Sequence, residues 1–277
     1  MIAVSVYYNA GTLLSVFELA NMIVDTHAHL TDKNLTELQP FLTQAREAGV
    51  GRIIAIATTL EDSRQCLELV ARHDELRAAV GIHPNNCCQA KESDWEEIVG
   101  LCREEGVVAL GETGLDKYWD DCPWEIQVDY FKRHLRLSRE TSLPVVVHTR
   151  ECAEETLGIL MEEAGLGPVN GVMHSFTGPQ AVADGCLELG MYISFAGMVT
   201  FKNAKEIQEI AAQIPEDRIL VETDSPYLTP APHRGKRPNH PALVAYTLEF
   251  LAELRGVSKS VLAEQTTANA FRLFGNW

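Results

Sequence analysis

Met22-Ile-Val-Asp-Thr-His-Ala-His-Leu30 joins a short apolar run to two histidines that are one residue apart. In an extended strand alternate side chains point to the same face, so His27 and His29 would project together where the strand ends. The same arrangement recurs downstream, where further short apolar runs end at residues that can bind a metal: Glu112, His148, His174 and Asp224. Ligands that come from the ends of successive strands predict one convergent metal site.

Short β-rich runs alternate with longer amphipathic segments from Met22 onward. The predicted strands are Ile23–Thr26, Arg52–Thr58, Ala78–Ile82, Val107–Gly111, Pro144–His148, Val169–His174, Met191–Ser194 and Arg218–Glu222. Eight strands alternating with eight helices are typical of an α/β chain that folds as a single (β/α)8 TIM barrel, whose strands are buried on both faces. An additional C-terminal helix over Ser260–Phe274 would follow, with Ser258 or Ser260 as its cap.

The main competing fold is a doubly wound open sheet. Such a sheet usually has fewer strands, and no G-x-G-x-x-G motif follows the first strand here. In TIM barrels the active site is built at the C-terminal ends of the strands. The ligand candidates fall at the ends of predicted strands one, four, five, six and eight, so the barrel would place them on that face.

Length, charge and cysteine content restrict the function. The chain has 277 residues and is 46% apolar, which suits one barrel domain over residues 22–277. A net charge of -16 argues against a protein that coats nucleic acid, so any nucleic-acid contact should be local. Seven cysteines without a C-x-x-C pair predict no disulfide framework and favour a reducing, cytoplasmic location.

The first 21 residues are mostly apolar but contain no Lys or Arg. A secretory signal needs a basic start, and Asn9, Gly11 and Glu18 interrupt the apolar stretch, so neither export nor a membrane span is supported. We expect residues 1–21 to form an N-terminal extension outside the barrel.

Histidines together with carboxylates suit a divalent metal, and a carboxylate can bridge two ions through its separate oxygens. Glu112 is the natural bridge because it lies mid-barrel between the two groups of histidines. Asp224 would contact a metal and accept a proton from the water that attacks the substrate. A single histidine is more often a hydrogen-bonded core residue, but several candidates on one barrel face argue against that reading.

Other candidates lie where substrate would enter. His83 could orient a phosphate or take part in a third metal position, although a satisfied loop histidine is an equal alternative. Arg150 could clamp an anion, or could instead pair with Glu151 or Glu154 at a helix start. The proline-stiffened loop after Asp224 carries a basic cluster that could bind phosphate, or could be solvated: His233, Arg234, Lys236 and Arg237. No nucleophile or P-loop signature is present, which leaves water activated by a metal.

In its motifs the chain resembles the TatD family of metal-dependent deoxyribonucleases, within the amidohydrolase-like metallohydrolases. The matching segments are Val24-Asp-Thr-His-Ala-His-Leu30, Gly81-Ile-His-Pro84, Gly111-Glu-Thr-Gly-Leu-Asp116, Val147-His-Thr-Arg150, His174-Ser-Phe-Thr-Gly178, Ile193-Ser-Phe-Ala-Gly197, Val221-Glu-Thr-Asp-Ser-Pro-Tyr227 and Pro232-His-Arg-Gly-Lys-Arg237. Each segment alone is weak, whereas the ordered set is highly specific. The chain departs from the family pattern at Asn85–Cys88 and at Lys117–Trp119, which would lie at the substrate rim.

The resemblance implies two divalent ions per subunit, Mg²⁺, Mn²⁺ or Zn²⁺. One would be held by His27, His29, Asp224 and the Glu112 bridge, and the other by Glu112, His148 and His174. It also implies a hydrolase of phosphodiester bonds, a deoxyribonuclease with 3'-5' exonuclease activity that takes ends of single-stranded DNA or other nucleic acid and has no membrane partner.

Two rival functions remain open at this point. An amidohydrolase-type enzyme for a small cyclic amide, ester or lactone would use the same metal cage, but a neutral substrate needs no basic cluster. A non-catalytic metal-binding or scaffold protein would need neither an open coordination position nor a base.

Overall fold

A computed structural model describes residues 22–35 and 37–275 of the chain. Eight parallel strands form one sheet in sequential order: β1 (Ile23–Ala28), β2 (Val50–Ile56), β3 (Leu76–Val80), β4 (Val107–Asp116), β5 (Val145–Arg150), β6 (Gly171–Met173), β7 (Tyr192–Phe195) and β8 (Ile219–Val221). A parallel bridge between Ala28 and Ser225 brings the two edges of the sheet together. The sheet therefore closes almost completely into the predicted TIM barrel.

Helices alternate with these strands. They are α1 (Leu38–Glu47), α2 (Leu60–Val70), α3 (Glu92–Leu101), α4 (Trp124–Thr141), α5 (Ala153–Ala164), α6 (Gln180–Glu188), α7 (Lys205–Gln213) and α8 (Val244–Arg255), followed by α9 (Lys259–Phe274). Short 3-10 helices lie at Lys33–Leu35, Pro84–Gln89, Gly197–Thr200 and Pro241–Leu243. The additional C-terminal helix is confirmed, and the Ser258 hydroxyl caps it by accepting from the Val261 N–H.

Helix α9 closes one end of the barrel. Its residues Leu273 and Phe274 belong to the same buried cluster as strand residues that fill the barrel interior, such as Val146 and Leu220. Thr267 of α9 donates a 2.6 Å hydrogen bond to the carbonyl of Met22, just before β1. The N-terminal ends of the strands are thus covered, and the opposite end is left for the functional site.

Strands β4 and β5 extend further than the sequence predicts. They remain paired beyond Glu112 and His148, with Gly114 opposite His148 and Asp116 opposite Arg150. Gly114 makes this close pairing feasible, because its φ is +136° and a Cβ there would lie 2.0 Å from the His148 carbonyl oxygen. Glu112 and His148 therefore lie inside strands rather than at their last residues.

Three further expectations concern features outside the barrel sheet. All seven cysteines lie among the described residues as free thiols, as predicted. Across residues 22–35 and 37–275, no helix combines the length and apolar character that a membrane crossing requires. The predicted N-terminal extension, residues 1–21, lies outside the described residues.

Candidate metal centre

The histidines of β1 are held by the closure of the barrel. His27 is completely buried and His29 follows the strand by one residue. The His27 carbonyl accepts a 2.9 Å hydrogen bond from the Asp224 N–H, and the His29 N–H donates 2.8 Å to the carbonyl of Ser225. These bonds join the end of β1 to the loop after β8, so the first and last ligand segments lie side by side.

Asp224 occupies a backbone conformation that few residues adopt. Its φ is +53°, in the left-handed region that Asp tolerates better than bulkier residues. Asp25 anchors the preceding residue, because its carboxylate accepts from the Thr223 N–H at 2.8 Å and from the Thr223 hydroxyl at 2.6 Å. The result is that the Asp224 carboxylate faces His27 and His29.

Four ligand atoms converge at the β1 side of the centre. His27 Nε2 lies 3.2 Å from His29 Nε2, 3.5 Å from Glu112 Oε2 and 3.6 Å from Asp224 Oδ1. His29 Nε2 lies 3.5 Å from Glu112 Oε2 and 3.4 Å from Asp224 Oδ1. The four side chains come from three segments, the end of β1, strand β4 and the loop after β8, so it is the barrel that brings the β1 histidines to Glu112 and Asp224.

The second oxygen of Glu112 faces another set of nitrogens. Glu112 Oε1 lies 2.9 Å from His148 Nδ1 and 2.8 Å from His174 Nε2, and these two nitrogens are 3.4 Å apart. His83 Nε2 lies 3.7 Å from the same oxygen. The Glu112 carboxylate therefore stands between two groups of donors, with one oxygen toward each.

These spacings fit divalent metal ions. Donors bound to one ion at about 2.0–2.2 Å lie roughly 3.0–3.6 Å from one another. The nitrogen–nitrogen and nitrogen–oxygen distances on the β1 side, 3.2–3.6 Å, match that range. Among the described residues, three groups of side chains place ligand atoms within 4.8 Å of one another: two of the groups share His27, and the third consists of His83, Glu112 and His148.

Two buried carboxylates that were not among the predicted site residues orient the histidines from the side away from Glu112. Asp116 Oδ2 lies 3.0 Å from His148 Nε2, and Glu222 Oε1 lies 3.2 Å from His174 Nδ1. Glu222 also accepts a 2.7 Å bond from the Ser175 N–H. Carboxylates that hydrogen-bond the far nitrogen of a ligand histidine fix its ring and raise its basicity. Their positions in Gly111-Glu-Thr-Gly-Leu-Asp116 and Val221-Glu-Thr-Asp224 were the only sequence signal.

Neighbouring charges shift the pKa values of the buried groups in the centre. Burial raises the pKa of Glu112, but the positive charge of His174 and a hydrogen bond from His148 hold it well below its usual value. Burial lowers the pKa of His29, yet the hydrogen bond to Asp224 and the charge of Glu112 raise it to about 9. Protons on histidines and metal ions compete for such anionic sites. A bound cation would therefore stabilise the Glu112 and Asp224 carboxylates in place of the histidine protons.

Comparison with known proteins identifies the family. Residues 24–275 match the family described as TatD related DNase. The chain belongs to the TatD family. It is 42% identical over 254 residues to the uncharacterised metal-dependent hydrolase YabD of Bacillus subtilis, which covers 91% of this chain and 99% of that protein. It is 34% identical over 239 residues to the 3'-5' ssDNA/RNA exonuclease TatD of Citrobacter koseri, covering 84% of this chain and 91% of that protein.

A solved structure agrees with this assignment. The crystal structure of YjjV, a TatD homologue from Escherichia coli K12, has a TM-score of 0.87 and 30% sequence identity, and covers 93% of this chain and all of that chain. The family membership establishes this chain as a metal-dependent hydrolase that acts on ester bonds. The TatD-family match spans every ligand candidate described above.

The TatD-family centre opens into a cavity of about 1040 Å³. His83, Arg150 and Arg237 line it, together with Trp119 and Tyr227. Burial lowers the pKa of His83 to about 3, so this imidazole is neutral. The Arg150 guanidinium lies 3.7 Å from the centroid of the Tyr118 ring and, within the described part of the chain, forms no ion pair with Glu151 or Glu154.

The predicted basic cluster is divided by the structure. Arg237 lines the cavity, whereas the side chains of the other three residues contact each other or nearby rings. The Arg234 guanidinium lies 4.0 Å from the centroid of the Phe201 ring. The His233 ring packs against Tyr246, and Lys236 Nζ lies 3.3 Å from His233 Nδ1. Of the four cluster residues, Arg237 is therefore the one placed to meet a substrate in this cavity.

Proposed function

We propose that this TatD-family hydrolase cleaves phosphodiester bonds of single-stranded nucleic acid, removing nucleotides from the 3' end of single-stranded DNA. The observation that carries the proposal is the Glu112 carboxylate, whose two oxygens face two separate donor groups at the base of one cavity. This arrangement suits a pair of divalent ions, with His27, His29 and Asp224 beside Oε2 and His148 and His174 beside Oε1. Two neighbouring ions are typical of enzymes that hydrolyse phosphodiesters.

The bound ions would lower the pKa of a coordinated water and stabilise negative charge on the phosphate. Asp224 is the group that can accept the proton of the attacking water. Burial raises its pKa, but a hydrogen bond from His29 and the charge of His27 lower it below its usual value, so the carboxylate is ionised at neutral pH. Its side chain is 13% exposed and borders the cavity, which places the base where substrate enters.

Arg150 and Arg237 would hold phosphates on either side of the scissile bond. Arginine suits this task because its planar guanidinium can donate two hydrogen bonds to one phosphate. An enzyme that binds only the end of a strand needs few contacts between basic side chains and phosphates, so the net charge of -16 is compatible with a polyanionic substrate. The Citrobacter koseri relative, named a 3'-5' ssDNA/RNA exonuclease, supports the same substrate class.

The test uses single-stranded DNA and RNA of one sequence, labelled at the 5' end or at the 3' end, with Mg²⁺, Mn²⁺ or Zn²⁺ added to metal-free protein. Removal of nucleotides from the 3' end converts 5'-labelled strands into a descending ladder. The same activity releases the label of 3'-labelled strands at once as a mononucleotide. The opposite pattern would reverse the polarity, and intact strands with every metal would contradict nuclease activity. Metal analysis of the active protein should give two equivalents per chain.

A further inference from the structure

Two aromatic side chains stand exposed at the rim of the cavity. Tyr118 is 47% exposed and Trp119 is 49% exposed, directly after the end of β4. Their ring centroids are 4.8 Å apart with the planes at 89°, so the two rings present different faces. Trp119 lines the cavity that contains the metal centre. Large apolar rings left half in solvent beside a site are typical of surfaces that bind a ligand.

A cation completes this group of side chains. The Arg150 guanidinium lies 3.7 Å from the Tyr118 ring centroid and 5.8 Å from that of Trp119. Stacking on Tyr118 orients the guanidinium plane while its N–H groups remain able to donate to a phosphate. Tyr118, Trp119 and Arg150 together are called the aromatic platform below.

The platform is fixed to the metal centre by one carboxylate. Asp116 Oδ1 accepts from the backbone N–H groups of Tyr118 at 2.8 Å and Trp119 at 3.2 Å. Asp116 Oδ2 lies 3.0 Å from Nε2 of His148, a ligand candidate. Asp116 and Arg150 are also direct partners in the β4–β5 pair, and the Lys117 N–H donates 3.0 Å to the Arg150 carbonyl. The backbone that carries the two rings is thus tied to the same carboxylate as His148.

We propose that the aromatic platform stacks an unpaired nucleobase of the strand whose phosphate enters the metal centre. This inference rests on the proposed nuclease function and specifies how the substrate is chosen. Aromatic rings and arginine planes bind the faces of bases with little dependence on sequence, because every base has a π-face. Bases in a duplex are already stacked on their neighbours, so the platform favours single strands. Arg150 and Arg237, both on the cavity wall, would then hold adjacent phosphates.

The experiment measures binding of a single strand that carries 2-aminopurine next to its 3' end, with phosphorothioate terminal linkages that slow hydrolysis. Stacking on an aromatic ring quenches 2-aminopurine fluorescence. Trp119→Ala should weaken binding roughly 5- to 100-fold, the range for loss of one base–aromatic stack. Trp119→Phe, which keeps a ring, should retain most of the affinity and the quenching. Leu166→Ala removes an apolar side chain that is 69% exposed and does not line the cavity, so it should bind as the wild type.

A second strand with an abasic residue at the same position isolates the base. The wild type should bind it about as weakly as Trp119→Ala binds the normal strand, and Trp119→Ala should lose nothing more. An equal preference for the base in wild type and Trp119→Ala would overturn the proposal, as would equal binding of all variants. Metal content should be unchanged in Trp119→Ala, which separates lost stacking from a disturbed Asp116.

Hydrolysis separates this proposal from the one it depends on. With unmodified strands, Trp119→Ala should raise KM and leave kcat within about threefold of wild type, because the ring contacts a base and not the reacting phosphate. A fall in kcat with unchanged KM would overturn the stacking role. If the wild-type protein cleaved no strand with any metal, the nuclease proposal would fail. The 2-aminopurine titration would still decide whether the platform binds bases.

Discussion

Glu112 of the candidate metal centre lies only a few residues before Tyr118 and Trp119 at the rim of the cavity, yet the centre is buried and the rim is exposed. Glu112 is 3% exposed and His27 is completely buried, whereas Tyr118 and Trp119 are about half exposed. The side chains of the centre contact one another and two carboxylates behind them. At the rim, the Tyr118 and Trp119 rings meet edge to face, Arg150 lies over Tyr118, and both rings are open to solvent.

Asp116 lies at the boundary between the two regions, since one of its oxygens faces His148 and the other accepts from the rim backbone. The difference indicates a division of tasks. Residues of the centre are constrained by several partners at once, so a change there should affect the chemistry with any substrate. Rim residues have few partners, so a change there should affect which substrate is held.

The largest effect is expected from removal of metal. Chelation should abolish hydrolysis of both oligonucleotides and the small diester bis(p-nitrophenyl) phosphate, because buried carboxylates and histidines alone supply no Lewis acid. Addition of Mg²⁺ or Mn²⁺ should restore both activities. Full activity in metal-free protein, verified by elemental analysis, would contradict the assignment of the centre.

Glu112→Gln and Asp224→Asn should each lower kcat by at least about a hundredfold on both substrates, the usual scale for loss of a general base. Glu112→Gln removes the charge that faces two donor groups, and should also reduce the number of bound ions. Asp224→Asn removes the proton acceptor. Circular dichroism checks that the fold persists, and near wild-type turnover with full metal content would refute the role assigned to that residue.

Asp116→Asn and Glu222→Gln should have a smaller effect, roughly 10- to 100-fold on metal affinity or activity, as is typical of residues that orient ligand histidines. Asp116→Asn should also weaken oligonucleotide binding, because its carboxylate holds the Tyr118 and Trp119 backbone. Glu222→Gln should leave that binding unchanged, since Glu222 contacts His174 and the Ser175 N–H. Equal binding losses in both variants would mean that the centre and the rim are not separable.

The smallest effect is expected from single charges at the rim. Arg237→Gln should flatten the log–log salt dependence of single-strand binding by roughly 0.7, the value of one lost phosphate contact. Arg234→Gln is the matched control, because Arg234 stacks on Phe201 and does not line the cavity. Hydrolysis of the small diester should be spared in both. A similar change of the salt-dependence slope in Arg237→Gln and Arg234→Gln would mean that the basic cluster acts only through its general positive charge.

Most of the barrel, and the convergence of the candidate ligands on one face, could be predicted because the relevant patterns are local. A two-residue period places His27 and His29 on one face, and the ends of parallel strands share one side of a barrel. The β4–β5 extension was not predicted. This extension depends on the close approach of β4 to β5 at Gly114, opposite His148, and these two residues are more than 30 positions apart in the chain. The division of the basic cluster could not be predicted either, because the rings that contact Arg234 and His233 lie outside the loop, at Phe201 and at Tyr246 in α8.

Short-range periodicity was enough to predict the order of eight strands and to place metal-binding residue types at or near the C-terminal ends of five of them. The folded chain was needed to show that Asp116 and Glu222 hold the histidines and that Trp119 and Arg150 share a cavity wall with Arg237. These contacts could not be predicted from short-range periodicity because they join side chains from separate βα units. Their distances depend on the closure of the barrel between β1 and the loop after β8, which no local pattern encodes.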